Sequence, residues 1–262
     1  MTRTLPALRL RNSPLVLVLC QVQFSPILMI GDYVPRIHAK LRRKFPIVNE
    51  SVIQEVLLLS GAPSPAPYRR WEMVSRDKNR SVVLTSNFVV FQTSAYTVFE
   101  EFLADLAEAV DVVATEVEAV QIERVGLRYI DLVRPSDRRS WRDYVRPGLH
   151  GFESSILKPH TQSQLFQSVA ETDRGTLVVR LFQNREAKIL PPDLVNGGLI
   201  RNVDPAPQPG ELLTLLDLDH YSTPNIEYER GCVEREGWAL HDGLDHVFRE
   251  SLVTPAALET WK

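Results

Sequence analysis

The 262-residue sequence is poor in the features that announce a chemistry. It has only two cysteines, no balance of charge to either side, and no G-x-S-x-G elbow or glycine-rich phosphate loop. Cys20 and Cys232 lie far apart, and Cys20 sits inside an apolar alternation. A buried thiol in a reducing compartment is therefore expected, rather than a disulfide or a metal ligand. Thirty lysines and arginines against 33 acids leave no field that would by itself draw nucleic acid or an anionic membrane. No run approaches the roughly 18 apolar residues of a spanning helix. Arg3, Arg9 and Arg11 ahead of Leu15–Cys20 superficially resemble a leader. The apolar run is short, however, and continues as Gln21-Val22-Gln23-Phe24 without a small-residue cleavage site, which reads as a strand. The expectation is a cytoplasmic chain with no membrane partner and no cofactor.

What is present is an alternation of strand and helix patterns. Strands are expected at Pro14–Phe24, Val52–Leu59, Arg70–Ser75, Ser81–Thr85, Phe88–Gln92 and Val120–Val133, then at Ser163–Glu171, Thr176–Phe182 and Leu212–Tyr221. Helical spacing of Ile30, Tyr33, Val34, Ile37 and Leu41, with Asp32 as cap, predicts a first helix that ends before Pro46. Thr97 and Glu100 form the pattern of a capping box, ahead of a stripe running from Val98 to Val113. A closing helix is expected over Trp238–Leu252, and Thr254-Pro255 starts a short last one. Irregular stretches fill Arg134–His160 and Arg185–Gly210, and 61–67 reads as a proline-rich loop.

These elements predict an α+β fold, largely antiparallel, with long amphipathic helices on one face of the sheet. Residues 81–113 and 176–252 share an element order of two strands then a helix, with a long loop inserted in the second. Two pseudo-repeated halves, 1–133 and 134–262, packed as one unit, are the expected domain organisation; a single irregular sheet is the alternative.

Four segments resemble a known family: Pro14–Ile27, Phe88–Phe102, Arg124-Val-Gly-Leu-Arg-Tyr-Ile-Asp131, and His241–Leu252 followed by Thr254. They are similar to a sporadically distributed prokaryotic family of uncharacterised proteins, about this long, whose hallmark is an R-V-G-L-R-Y-I-N type strand. The resemblance implies one fold along the whole chain and a bacterial cytosolic origin, but no reaction. Asp131 stands where that pattern has Asn, which puts a family role for this one side chain in question.

Two constellations stand out. Arg124 and Arg128 share one face of their strand around Gly126 and could clamp a carboxylate or phosphate; Asp217 and Asp219 share one face of theirs and could hold a divalent ion. A structural pairing of these arginines with these aspartates accounts for both sets at once. The run His241-Asp242-Gly243-Leu244-Asp245-His246 reads as a solvated helix face. Arg36, Lys40, Arg42, Arg43 and Lys44 read likewise, because no aromatics are interleaved there for nucleic-acid stacking. With no complete catalytic set, the expected function is a non-catalytic binding protein with a protein partner, of the kind found in toxin–antitoxin, immunity or defence cassettes. The alternative is a metal-dependent phosphodiesterase or nuclease using Asp217, Asp219, Arg124 and Arg128.

Overall fold

Alternation of apolar and mixed residues makes β1, Leu15–Phe24, a strand with two usable faces: Val18, Cys20, Val22 and Phe24 are buried on one, Leu17 on the other. In the computed structural model, which describes residues 8, 10–53, 67–118, 120–134, 139–151, 162–186, 190, 191, 194, 198, 199 and 206–262, this strand lies at the centre of one antiparallel sheet.

The other strands are β2 (Ile47–Ile53), β3 (Tyr68–Val74), β4 (Arg80–Leu84), β5 (Phe88–Thr93), β6 (Gln121–Val133), β7 (Ser163–Thr172), β8 (Gly175–Asn184), β9 (Leu213–Ser222) and β10 (Ile226–Glu227). They lie in the order β2-β3-β4-β5-β1-β6-β9-β8-β7, and the short β10 adds to β6. The α+β class with an antiparallel sheet is therefore as expected. The register places Gln21 opposite Gly126, and Arg128 opposite Asp219. Between Leu15 and Leu17 the register with β6 shifts, so that Val16 forms a bulge beside Asp131. Bulges bend a strand and re-aim its side chains, and they concentrate next to functional sites.

Helices α1 (Ile30–Leu41), α2 (Phe99–Val117), α3 (Cys232–Val247) and α4 (Pro255–Trp261) contribute Ile37, Leu106, Leu240 and Ala257 to one large core. That core also holds Val18, Cys20, Val22, Phe91 and Leu127 from the sheet. A second, smaller cluster gathers Leu17, Ile130, Leu132, Leu213 and Leu215 with Leu190 and Leu199, and none of its buried residues comes from α1 to α4.

Local chemistry moved several boundaries. Asp32 lies in the first turn of α1, one turn past its expected capping place. The capping box at Thr97 does not form: α2 starts at Phe99 after an extended Val98, and the Thr97 hydroxyl donates to Glu101 instead. β2 starts at Ile47, ahead of the expected Val52, and 54–66 fall outside the described residues. α3 starts at Cys232 rather than Trp238, and its last turn widens into a π-helical turn at Phe248–Leu252. Thr254 caps α4 as expected, accepting a hydrogen bond from the Ala257 amide at 3.2 Å.

Candidate functional site

The four residues singled out in the sequence do meet. Arg128 donates to Asp217 through Nε (2.6 Å) and Nη2 (2.7 Å), and Arg180 of β8 adds a third bond at 3.2 Å. Asp217 is fully buried, so three charge-assisted donors satisfy a carboxylate that water does not reach. Arg124 lies 3.7 Å from Asp219, stacks 4.1 Å over the Tyr221 ring and donates to Gln21 at 2.8 Å. Burial lifts the Asp219 carboxyl above its usual range, and Arg124 and Arg128 pull it back. Gly126 makes room for the neighbouring guanidinium itself: a Cβ there would stand 2.9 Å from Arg124 Nη1.

From α1 and the turn after it, Arg36 and Lys40 pair with Glu116 of α2, and Lys44 with Asp105 and Glu108. Among the described residues, no group of three His, Cys, Asp or Glu side chains is arranged to hold a metal ion. Both cysteines are free and buried, and burial pushes the Cys20 thiol up to about 12, far from a reactive thiolate at neutral pH.

The opposite face of β6 carries a second constellation. Tyr129 and Asp131 project there, as alternation from Arg124 and Arg128 requires, into a cavity of about 250 Å³. Its apolar wall includes Leu10, Leu15, Leu218, Leu244 and Phe248; its polar groups include Tyr96, Tyr129, Asp131, His241 and Asp245. His241 was expected on a solvated face. Instead it is buried, because α3 turns its Leu240–Leu244 stripe to the sheet and carries His241 in with it. Its ring stacks on Phe99 with centroids 4.0 Å apart, and Nδ1 shares a 2.8 Å hydrogen bond with the Tyr129 hydroxyl. Burial, then the adjoining Tyr96, holds Tyr129 well above the ordinary phenol range. Asp245 is engaged by Arg249 one turn on, with Nε at 2.7 Å.

Asp131 differs from all of these. It is 5% exposed, it lines the cavity, and no described residue donates a hydrogen bond to its carboxylate. Burial alone raises it to about 7. The sequence signal for it was the face Glu123, Val125, Leu127, Tyr129, Asp131, whose three middle positions are apolar or aromatic. An aspartate closing such a face is the kind of buried acid that marks a site. The chain matches no protein-family model and no curated protein. No helix among the described residues is long and apolar enough to cross a membrane.

Proposed function

We propose that this chain is a non-catalytic binding protein that holds a small ligand in the cavity between β6, the Tyr96–Val98 segment ahead of α2, and α3. The observation that carries the reading is Asp131: a buried carboxylate, without a hydrogen-bond donor among the described residues, opening onto an otherwise largely apolar and aromatic space. Pockets that take small molecules have this composition, an apolar lining with a few convergent polar groups. A cytoplasmic setting and membership of the sporadically distributed prokaryotic family that Arg124–Asp131 resembles are part of the same proposal. So is a protein partner reached through the ligand-bound form, as in a defence or toxin–antitoxin cassette.

The architecture that supports it is a near-palindromic sheet. β3-β4-β5-β1 on one side of the sheet is mirrored by β7-β8-β9-β6 on the other, and α2 follows β5 as α3, after the short β10, follows β9. We read this as two pseudo-repeated halves, 1–133 and 134–262, with the helices gathered on one face and the cavity at their junction. The metal-dependent phosphodiesterase reading has less support. A divalent ion at Asp217 would have to displace both Arg128 and Arg180 from a carboxylate with no exposed surface.

Native mass spectrometry of the chain, purified without denaturation from its source cells, tests the proposal. A bound small molecule is expected, absent from an Asp131→Asn/His241→Leu variant that keeps its near-ultraviolet circular dichroism. An empty wild-type protein that also takes up nothing from a cell-extract metabolite pool would defeat it. So would Mg²⁺- or Mn²⁺-dependent nuclease activity lost on Asp217→Asn.

A further inference from the structure

We infer that the ligand of this cavity is an organic ammonium: one cationic nitrogen that pairs with Asp131, on an apolar body that fills the space toward Leu218, Leu244 and Phe248. The inference rests on the cavity being the binding site and adds the chemical class of what enters it.

The argument is one of unmet demand. A buried carboxylate needs partners, and Asp217 on the other face of the same sheet shows how this fold supplies them when the role is structural, with three guanidinium bonds. Asp131 receives none from the described residues, although it too is buried, with 5% of its surface exposed. Among the described residues, the charged and titratable groups facing it are Tyr129 on its own strand, Tyr96 ahead of α2, and His241 and Asp245 on α3, with Arg249 beyond in the π-helical turn. The one cation of this set, Arg249, is turned to Asp245 and grips it through Nε and Nη2. His241 gives its Nδ1 to Tyr129 and its ring face to Phe99. β1 contributes Leu15 and β9 contributes Leu216 directly opposite Asp131, both without charge.

The ring faces add to the selection. Tyr96 and Tyr129 meet edge to face with centroids 6.0 Å apart, and both line the cavity with Asp131. Aromatic rings around a carboxylate favour a cation through their quadrupoles and disfavour an anion. A ligand carboxylate or phosphate would face Asp131 and Asp245 with no free cation among the described lining residues. A neutral alcohol could hydrogen-bond to Asp131 but would leave its charge uncompensated.

Three probes of one shape separate these cases: 2-phenylethylamine, 2-phenylethanol and 3-phenylpropionate, titrated calorimetrically into the full-length chain. The amine is expected to bind at least about tenfold more tightly than the alcohol, and the acid not at all. Because Asp131 titrates near 7, amine affinity is expected to fall about tenfold between pH 8 and pH 6, while alcohol affinity stays level. Asp131→Asn is expected to fold and to lose the preference for the amine together with its pH dependence. Equal binding of amine and alcohol, or an amine preference that survives Asp131→Asn, would overturn the ammonium assignment and leave the cavity reading standing. If none of the three probes binds, the cavity reading falls with it.

Discussion

Arg128 and Asp217 meet in a two-pronged contact, Nε to Oδ1 and Nη2 to Oδ2, on adjacent strands whose residues are 89 positions apart in sequence. The aspartate is sealed from solvent and the arginine nearly so. Such a pair stabilises less than its Coulomb attraction suggests, because both ions lost their hydration, but half of it is worse than none.

Arg128→Ala is therefore expected to cost about 3–5 kcal/mol by leaving Asp217 with only Arg180 at 3.2 Å. Arg128→Met with Asp217→Leu is expected to recover most of that loss. Urea denaturation of the single and double variants reads both numbers. A double variant no more stable than Arg128→Ala would show that the two ions contribute net stability together.

Asp131 carries the opposite sign. Its carboxyl is raised from 3.8 in the unfolded chain to about 7 in the fold, so between those values the native state holds a proton that the unfolded state has lost. Stability from this group thus falls as pH rises from about 4 to about 7 and is level above, by about 4 kcal/mol at most. Asp131→Asn is expected to remove that slope and to raise the melting temperature at pH 8. The difference between wild-type and variant melting curves across pH isolates the group from the other carboxylates, and a parallel pair of curves would refute its burial as an acid.

Two glycines make contrasting predictions. At Gly175, φ is +126° and a Cβ would lie 2.0 Å from the Tyr221 carbonyl oxygen, so Gly175→Ala must break the β8–β9 ladder and is expected to cost about 3 kcal/mol or more. At Gly126 the obstacle is the end of the Arg124 side chain, which can swing aside. Gly126→Ala is expected to cost about 1 kcal/mol, and nothing further once Arg124→Ala is already present. Thermal denaturation of the two alanine variants gives the ranking.

Loss of the Thr254 cap, in Thr254→Ala, is expected to cost about 1 kcal/mol. The side chain also donates to the Asp143 carbonyl at 2.6 Å, tying α4 to the 139–151 segment. Hydrogen exchange is therefore expected to quicken at Tyr144 and Val145 as well as in α4. Faster exchange confined to α4 would show that the tie does not matter.

How much of this was legible in the sequence depended on where each signal was written. Period-two patterns placed β1, β3 to β9 and the two faces of β6, because alternation is local. The pairing of Arg124, Arg128, Asp217 and Asp219 was readable as a chemical match, but not that Arg180, from a third strand, completes it. His241 was misread because four neighbours within the run 241–246 are polar or glycine. Burial followed from the pitch of α3 against α2, where a Cβ on Gly237 would come 2.7 Å from Leu103, and such closeness is a tertiary fact. Asp131 was visible as a departure from a motif, yet its isolation depends on which groups surround it. The bulge at Val16 left no sign in composition.

Strand β1 sits between β5 and β6, and the Gln23–Glu123 hydrogen bond on its β6 side spans 100 residues. During synthesis, Leu15–Phe24 therefore leaves the ribosome long before the strand that will cover its second edge exists. An apolar, uncharged stretch such as Leu-Val-Leu-Val-Leu-Cys, waiting with open backbone groups, is a template for pairing with other nascent chains. The centre of the finished sheet is thus the most exposed element of the unfinished one. β5 can close one edge of that strand once residue 93 has been made, while the other edge stays open until β6 is complete at residue 133.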